Sequence, residues 1–130
     1  MRGPFGDVRI ATIDPDDLGA VAVVALTSAA HEGRSYRLNG PESLRPADRA
    51  AMLSRLLGRD LRFEARSTEE ARAEMSRTMP APYVDAIMDF FADGSLDESQ
   101  VLPAVEQLTG RRPLTLEQWA RAHAAAFRLA

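Results

Sequence analysis

Val84, Ile87, Met88 and Phe91 recur at i, i+3, i+4 and i+7, the spacing that lays one apolar stripe along a helix, and Asp93-Gly94 closes the run. A second stripe, Ala50, Leu53 and Leu57, predicts a helix opened by Pro46 and stopped by Gly58. Near the C-terminus Leu116, Trp119, Ala120, His123 and Phe127 share a face, and Thr115 with Gln118 supplies a capping box. Ser67 with Glu70 makes another box for a helix to about Arg77, and a short helix is expected around 101–108, before Gly110. The segment "DLGAVAVVAL" differs from these. It is apolar nearly all round, the mark of a helix covered on both sides. Asp14 suits its N-cap, Pro15 its first position, and Asp16 and Asp17 the positive first turn; the helix should run to about Ala30, with Gly33 breaking the chain beyond it.

Around that helix the pattern changes to extended runs. "VRIATI" (8–13) is rich in β-branched residues, "SYRLN" (35–39) follows the helix, and "LRFEA" (61–65) is a third short strand. Strand, helix and strand with short joints predict a βαβ crossover and so two parallel strands. The expected class is α/β with a helical majority.

Composition narrows the chemistry. The 130 residues fit one domain, and 45% hydrophobic content is enough for a core. No apolar run approaches the roughly 20 residues that span a bilayer, and "MRGPFGDVR" lacks the apolar stretch of a signal peptide. The absence of cysteine excludes a disulfide framework and a thiolate nucleophile, and fits a cytoplasmic protein. A net charge of −3 and a single basic pair, Arg111-Arg112, argue against a nucleic-acid surface. All 16 basic residues are arginine, which excludes a Schiff base, a P-loop lysine and a Tyr-Lys dyad.

Few residues carry a chemical motif. Gly3-Pro4-Phe5-Gly6 is followed by Arg9 where a dinucleotide loop has its third glycine, and a strand rather than a helix comes next, so it reads as a loop. Asp14, Asp16 and Asp17 begin like a calcium loop, but Leu18 and Ala25 occupy later ligand positions; helix capping explains them better. His31 falls at a helix C-terminus and His123 on an apolar stripe, where a hydrogen-bonded core histidine is the plain expectation, and neither belongs to a zinc set. Ser95 lacks a nucleophile elbow, and Tyr36 and Tyr83 have no lysine four residues on. No catalytic residue, cofactor-binding residue or metal ligand is assigned.

The ordered set "ATIDPDDLGAVAVVALT", "GRSYRLNGPESLRPADRAAMLSRLLGRDLRFE" and "TGRRPLTLEQWARAHAAAF" resembles the C-terminal half of NmrA-like proteins, the NAD(P)-binding atypical short-chain dehydrogenase/reductase group. Asp14 and Asp17 match its acidic helix start and Gly40-Pro41 its strand-to-helix turn, while Arg45 stands where a Ser or Thr often caps the next helix. The resemblance implies the last βαβ part of a Rossmann-type parallel sheet in residues 1–45 and a helical substrate-side lobe in 46–130, together one compact unit. It implies NAD(P)H as cofactor and hydride transfer to quinone-like or azo acceptors in an intact relative. The family's glycine-rich loop has no counterpart here, so the chain alone is expected neither to hold the dinucleotide nor to be active. Within "MPAPYVDAIMDFF", Met79, Tyr83 and Phe90 fall off the main stripe and are the expected wall of a substrate pocket. Expected partners are a separately encoded Rossmann half or a second copy, because torn-out parallel strands leave open edges. The alternative is a non-catalytic ligand-sensing or interaction module of the same family.

Overall fold

The computed structural model describes residues 1–127. Two short strands, β1 (Arg2–Gly3) and β2 (Glu64–Ala65), pair in parallel, Arg2 opposite Glu64 and Gly3 opposite Ala65. Six α-helices make up most of the regular structure: α1 (Pro15–Thr27), α2 (Pro46–Leu57), α3 (Thr68–Met75), α4 (Ala81–Phe91), α5 (Ala104–Thr109) and α6 (Leu116–Ala122), with a 3₁₀ turn at Ala29–His31. The chain is therefore mixed α/β and mostly helical. It groups into two compact units, residues 1–10 with 44–99, and residues 11–43 with those from 100 onward.

In the first unit the α4 stripe does what its spacing predicts. Val84 and Met88 pack with Ala71 of α3 into a buried cluster, flanked by Phe5 and Met75. Removing each such side chain from water contributes on the order of 1.5–3 kcal/mol. Phe5 also meets Phe91, ring centroids 5.5 Å apart. The loop glycines before β2 are packing devices: a Cβ on Gly6 would lie 2.7 Å from that of Ala65. Helix α3 carries the expected Ser67–Glu70 box, each side chain bonding the other's backbone N–H. At α2 the cap is one-sided in a way the sequence hid. Asp48 reaches back to accept the Arg45 backbone N–H at 3.0 Å, while Gly58, at φ 63°, ends the helix.

In the second unit α1 begins as expected, with the Asp14 side chain accepting the Asp16 N–H at 2.8 Å and Pro15 at the first position. It ends at Thr27 rather than Ala30, and the 3₁₀ turn takes over from Ser28. Helix α6 has its Thr115–Gln118 box.

The strand expectations need correction. Residues 8–13 and 35–39 form no ladder: Ile10 instead makes an isolated antiparallel bridge to Leu44, and a single bond runs from Gly40 N–H to the Ala11 carbonyl at 2.8 Å. The expected strand at 61–65 shrinks to Glu64–Ala65, and its parallel partner is Arg2–Gly3, which the sequence left as a loop. A ribbon of two short strands is marginal without a third to share its hydrogen bonds, which is why the β-branched run did not suffice.

Candidate functional site

The polar residues at the start of α1 shape the second unit's cavities. Asp17 is completely buried, yet its carboxylate has partners far along the chain. Oδ2 accepts the Leu114 N–H at 2.6 Å, and Oδ1 lies 2.9 Å from the Arg111 guanidinium, an ionic contact rather than an aligned hydrogen bond. Glu42 accepts the Leu116 N–H at 3.0 Å. These bonds satisfy amides just ahead of and at the start of α6, which would otherwise cost a desolvation penalty. They also hold residues 111–116 beside the α1 N-terminus, so that Ile13, Pro15, Leu114, Leu116 and Trp119 line a largely apolar pocket of about 270 Å³. A larger cleft of about 590 Å³, lined by Val101, Leu102, Pro113 and Gln118 among others, uses Leu114 and Thr115 as well. Its volume falls in the range of small-molecule sites.

His123 is exposed, which corrects the core expectation. Its ring stacks on Trp119 at 4.7 Å and its Nδ1 donates to the Trp119 carbonyl at 2.9 Å, so the imidazole closes the helix end rather than filling the interior. The structure also pairs His31 with Tyr36, Nδ1 to hydroxyl at 2.7 Å with the rings edge to face. No sequence pattern signals that pair, because a tight turn after α1 brings the two rings together.

In the first unit Met79, Tyr83 and Phe90 lie on the outward side of the α4 region, with exposures of 41%, 66% and 44%. Tyr83 and Phe90 are seven residues apart and share a face, away from Val84 and Met88. None of the three lines the cavities described here. A separate groove of about 530 Å³ beside β2 is charged but internally neutralised: Arg2 grips Glu64 and Arg66 pairs with Glu74. The Arg2 guanidinium holds the Glu64 carboxyl below its ordinary range. Likewise Arg45, through its side chain and then its backbone N–H, lowers Asp48, and partial burial lowers Arg49. These shifts follow from ion pairs and burial.

The helix N-termini bear directly on whether a dinucleotide fits. A pyrophosphate needs open amides at a helix start. Here α1, α3 and α6 carry side-chain caps from Asp14, Ser67 and Thr115, with Asp16, Asp17, Glu69, Glu70 and Glu117 adding negative charge to those first turns, whereas the N-cap residues of α2, α4 and α5 give no side-chain cap. Helix α4 has proline at 80 and 82, which leaves Ala81 as the amide donor between them. Among the described residues, no group of three or more His, Asp or Glu could hold a metal ion.

A mostly helical body with a small parallel strand pair matches the C-terminal lobe of Rossmann-type reductases. Among solved structures, an NADPH-dependent quinone oxidoreductase of Escherichia coli, in complex with NADPH, superposes with a TM-score of 0.71 at 25% identity, over 98% of this chain and 44% of that one. Among curated proteins, an NAD(P)H azoreductase of Xenophilus azovorans is 40% identical over 126 residues, 95% of this chain and 44% of the relative. A (4-alkanoyl-5-oxo-2,5-dihydrofuran-3-yl)methyl phosphate reductase of Streptomyces griseus is 39% identical over 128 residues, 98% of this chain and 45% of the relative. In sequence the chain corresponds to the C-terminal part of NmrA-like, NAD(P)H-dependent reductases, and it spans less than half the length of these relatives. No protein-family model matches it.

Proposed function

We propose that the chain is the substrate-side lobe of an NAD(P)H-dependent reductase that transfers hydride to quinone-like or azo acceptors, and that it works only when joined to a nucleotide-binding half. The observation that carries this reading is the 40% identity to the NAD(P)H azoreductase over 95% of the chain. The side-chain caps on α1, α3 and α6 support the division of labour, because they take amides that a pyrophosphate would otherwise use. Residues 1–45 then finish the nucleotide-binding sheet, and residues 46–130 form the substrate lobe. In the assembled protein the run 8–13, which accepts one backbone bond from Gly40 just beyond the run 35–39, gains a neighbour and lengthens into a ladder. Met79, Tyr83 and Phe90, exposed in the chain by itself, close over the acceptor. Flat aromatic acceptors favour such a surface, since stacking on Tyr and Phe adds about 0.5–1.5 kcal/mol per ring pair.

The test joins the upstream residues of the azoreductase, those without a counterpart here, to this chain. The chimera should oxidise NADPH with a quinone or an azo dye. Tyr83→Ala with Phe90→Ala should raise KM about tenfold and leave the melting temperature nearly unchanged, as for exposed residues. A folded, NADPH-binding chimera that reduces neither acceptor would remove the proposal, and an unchanged KM would remove the assigned wall.

A further inference from the structure

The pocket at the start of α1 combines an idle carboxylate oxygen with an apolar and aromatic lining. It lies within the second unit, with Ile13, Asp14 and Pro15 from one stretch of chain and Leu114, Leu116 and Trp119 from another. Asp14 is only 8% exposed. Its Oδ1 accepts the Asp16 N–H at 2.8 Å, whereas Oδ2 has no hydrogen-bond partner among the described residues. A carboxylate buried this far costs free energy until its second oxygen is matched, by the protein or by something that enters. No arginine or histidine lines the pocket, and the guanidinium of Arg111 is committed to Asp17 at 2.9 Å. The counter-charge must come from outside.

The walls are held in place by groups behind them. Asp17 accepts the Leu114 N–H at 2.6 Å and Glu42 the Leu116 N–H at 3.0 Å, so both leucines are positioned before any ligand arrives. Such preorganisation lowers the cost of binding. Trp119 supplies the aromatic wall, braced by the His123 ring stacked on it at 4.7 Å. Indole attracts a cation more strongly than the other aromatic side chains do. The volume, about 270 Å³, falls just under the range of roughly 300–1,000 Å³ for drug-sized ligands, which suits one ring with a short stem.

We propose that this pocket binds a small arylalkyl amine in its ammonium form. The ring lies among Leu114, Leu116 and Trp119, and the ammonium donates to Asp14 Oδ2. A hydrogen bond between two charged groups is roughly twice as strong as a neutral one, so the cation gains over an alcohol of the same shape. A carboxylate ligand meets Asp14 instead and is repelled. The inference does not draw on the reductase reading; it needs only the pocket and can be tested in the chain by itself.

Trp119 is the single tryptophan of the chain, so its emission reports on the pocket. The 130-residue chain is titrated with phenethylamine, phenethyl alcohol and hydrocinnamate, which share a ring and a short stem but are cationic, neutral and anionic. The amine should give a saturable change with a dissociation constant of about 0.1–1 mM, the alcohol should bind at least about tenfold more weakly, and the hydrocinnamate should give no saturable change. Asp14→Asn removes the charge and keeps an equally good helix cap. In that variant the amine should fall about tenfold, to the level of the alcohol, whose own affinity stays as it was. Equal binding of amine and alcohol in the unaltered chain would overturn the inference, as would an amine advantage that survives Asp14→Asn, or a Trp119 emission that none of the three compounds moves. The comparison of amine with alcohol in the unaltered chain decides the matter even if the variant does not fold.

Discussion

The two compact units are held together by different forces. Residues 1–10 and 44–99 rest on the apolar cluster of Ala71, Val84 and Met88, with ion pairs such as Arg72–Asp85 confined to the surface. Residues 11–43 and 100–127 bury Val21, Val105 and Ala120 as well, and add polar groups that reach across the sequence: Asp17 to Leu114, Glu42 to Leu116, Gly40 to Ala11. Apolar burial is nondirectional and tolerates reshaping, whereas a buried carboxylate or a backbone close approach has one workable geometry. The second unit should therefore be the less forgiving of conservative change, and it is the one whose geometry sets the two cavities.

The sharpest test of that contrast is Gly40→Ala. A Cβ there would lie 1.9 Å from the Thr12 carbonyl oxygen, and backbone cannot yield as a side chain can. A loss of about 3 kcal/mol in urea denaturation is expected for this one methyl group. Arg111→Ala comes next, at about 2 kcal/mol. It strips the ionic partner from a fully buried Asp17, and the estimate is discounted because the Arg111 side chain is itself 44% exposed. Arg111→Lys should recover part of the loss. In the first unit, Val84→Ala should cost only about 1.5 kcal/mol, since Met88 and Met75 can relax into the space. If Val84→Ala proved costlier than Gly40→Ala, the contrast between the units would be broken.

The smallest expected effect is a pH dependence in the first unit. Arg45 holds the Asp48 carboxyl below its ordinary value, so that pair's contribution is fully present above the unfolded chain's pKa. It is lost as pH falls through the lower folded value, on the acid side of about pH 4. Asp48→Asn should flatten the melting curve's dependence on pH there and leave neutral pH little changed. An unaltered acid limb would mean the exposed pair contributes nothing.

Helices were legible because their signals are local. The stripe at Val84, Ile87, Met88 and Phe91, the two capping boxes and the Gly58 stop each lie within a turn or two of the chain. Strands were not, because a strand exists only through its partner. The run at 8–13 had the right residues and no ladder, while Arg2–Gly3 had a loop's composition and found Glu64–Ala65. The buried tie of Asp17 to residues 111–114 was invisible for the same reason: its partners lie nearly a hundred positions away, and in sequence the aspartate reads as an ordinary first-turn acid. His123 was misjudged because the helix ends at Ala122, so the stripe no longer extends to it. Met79, Tyr83 and Phe90 lie outward as surface residues, and their role depends on what covers them.

Titrating NADPH into the purified 130-residue chain, with fluorescence or calorimetry as the readout, tests most directly the claim that this lobe relies on another body for its cofactor. With α1, α3 and α6 capped by their own side chains, no saturable binding should occur below about 1 mM, while the chimera should bind in the micromolar range. A micromolar dissociation constant for the chain alone would contradict the account.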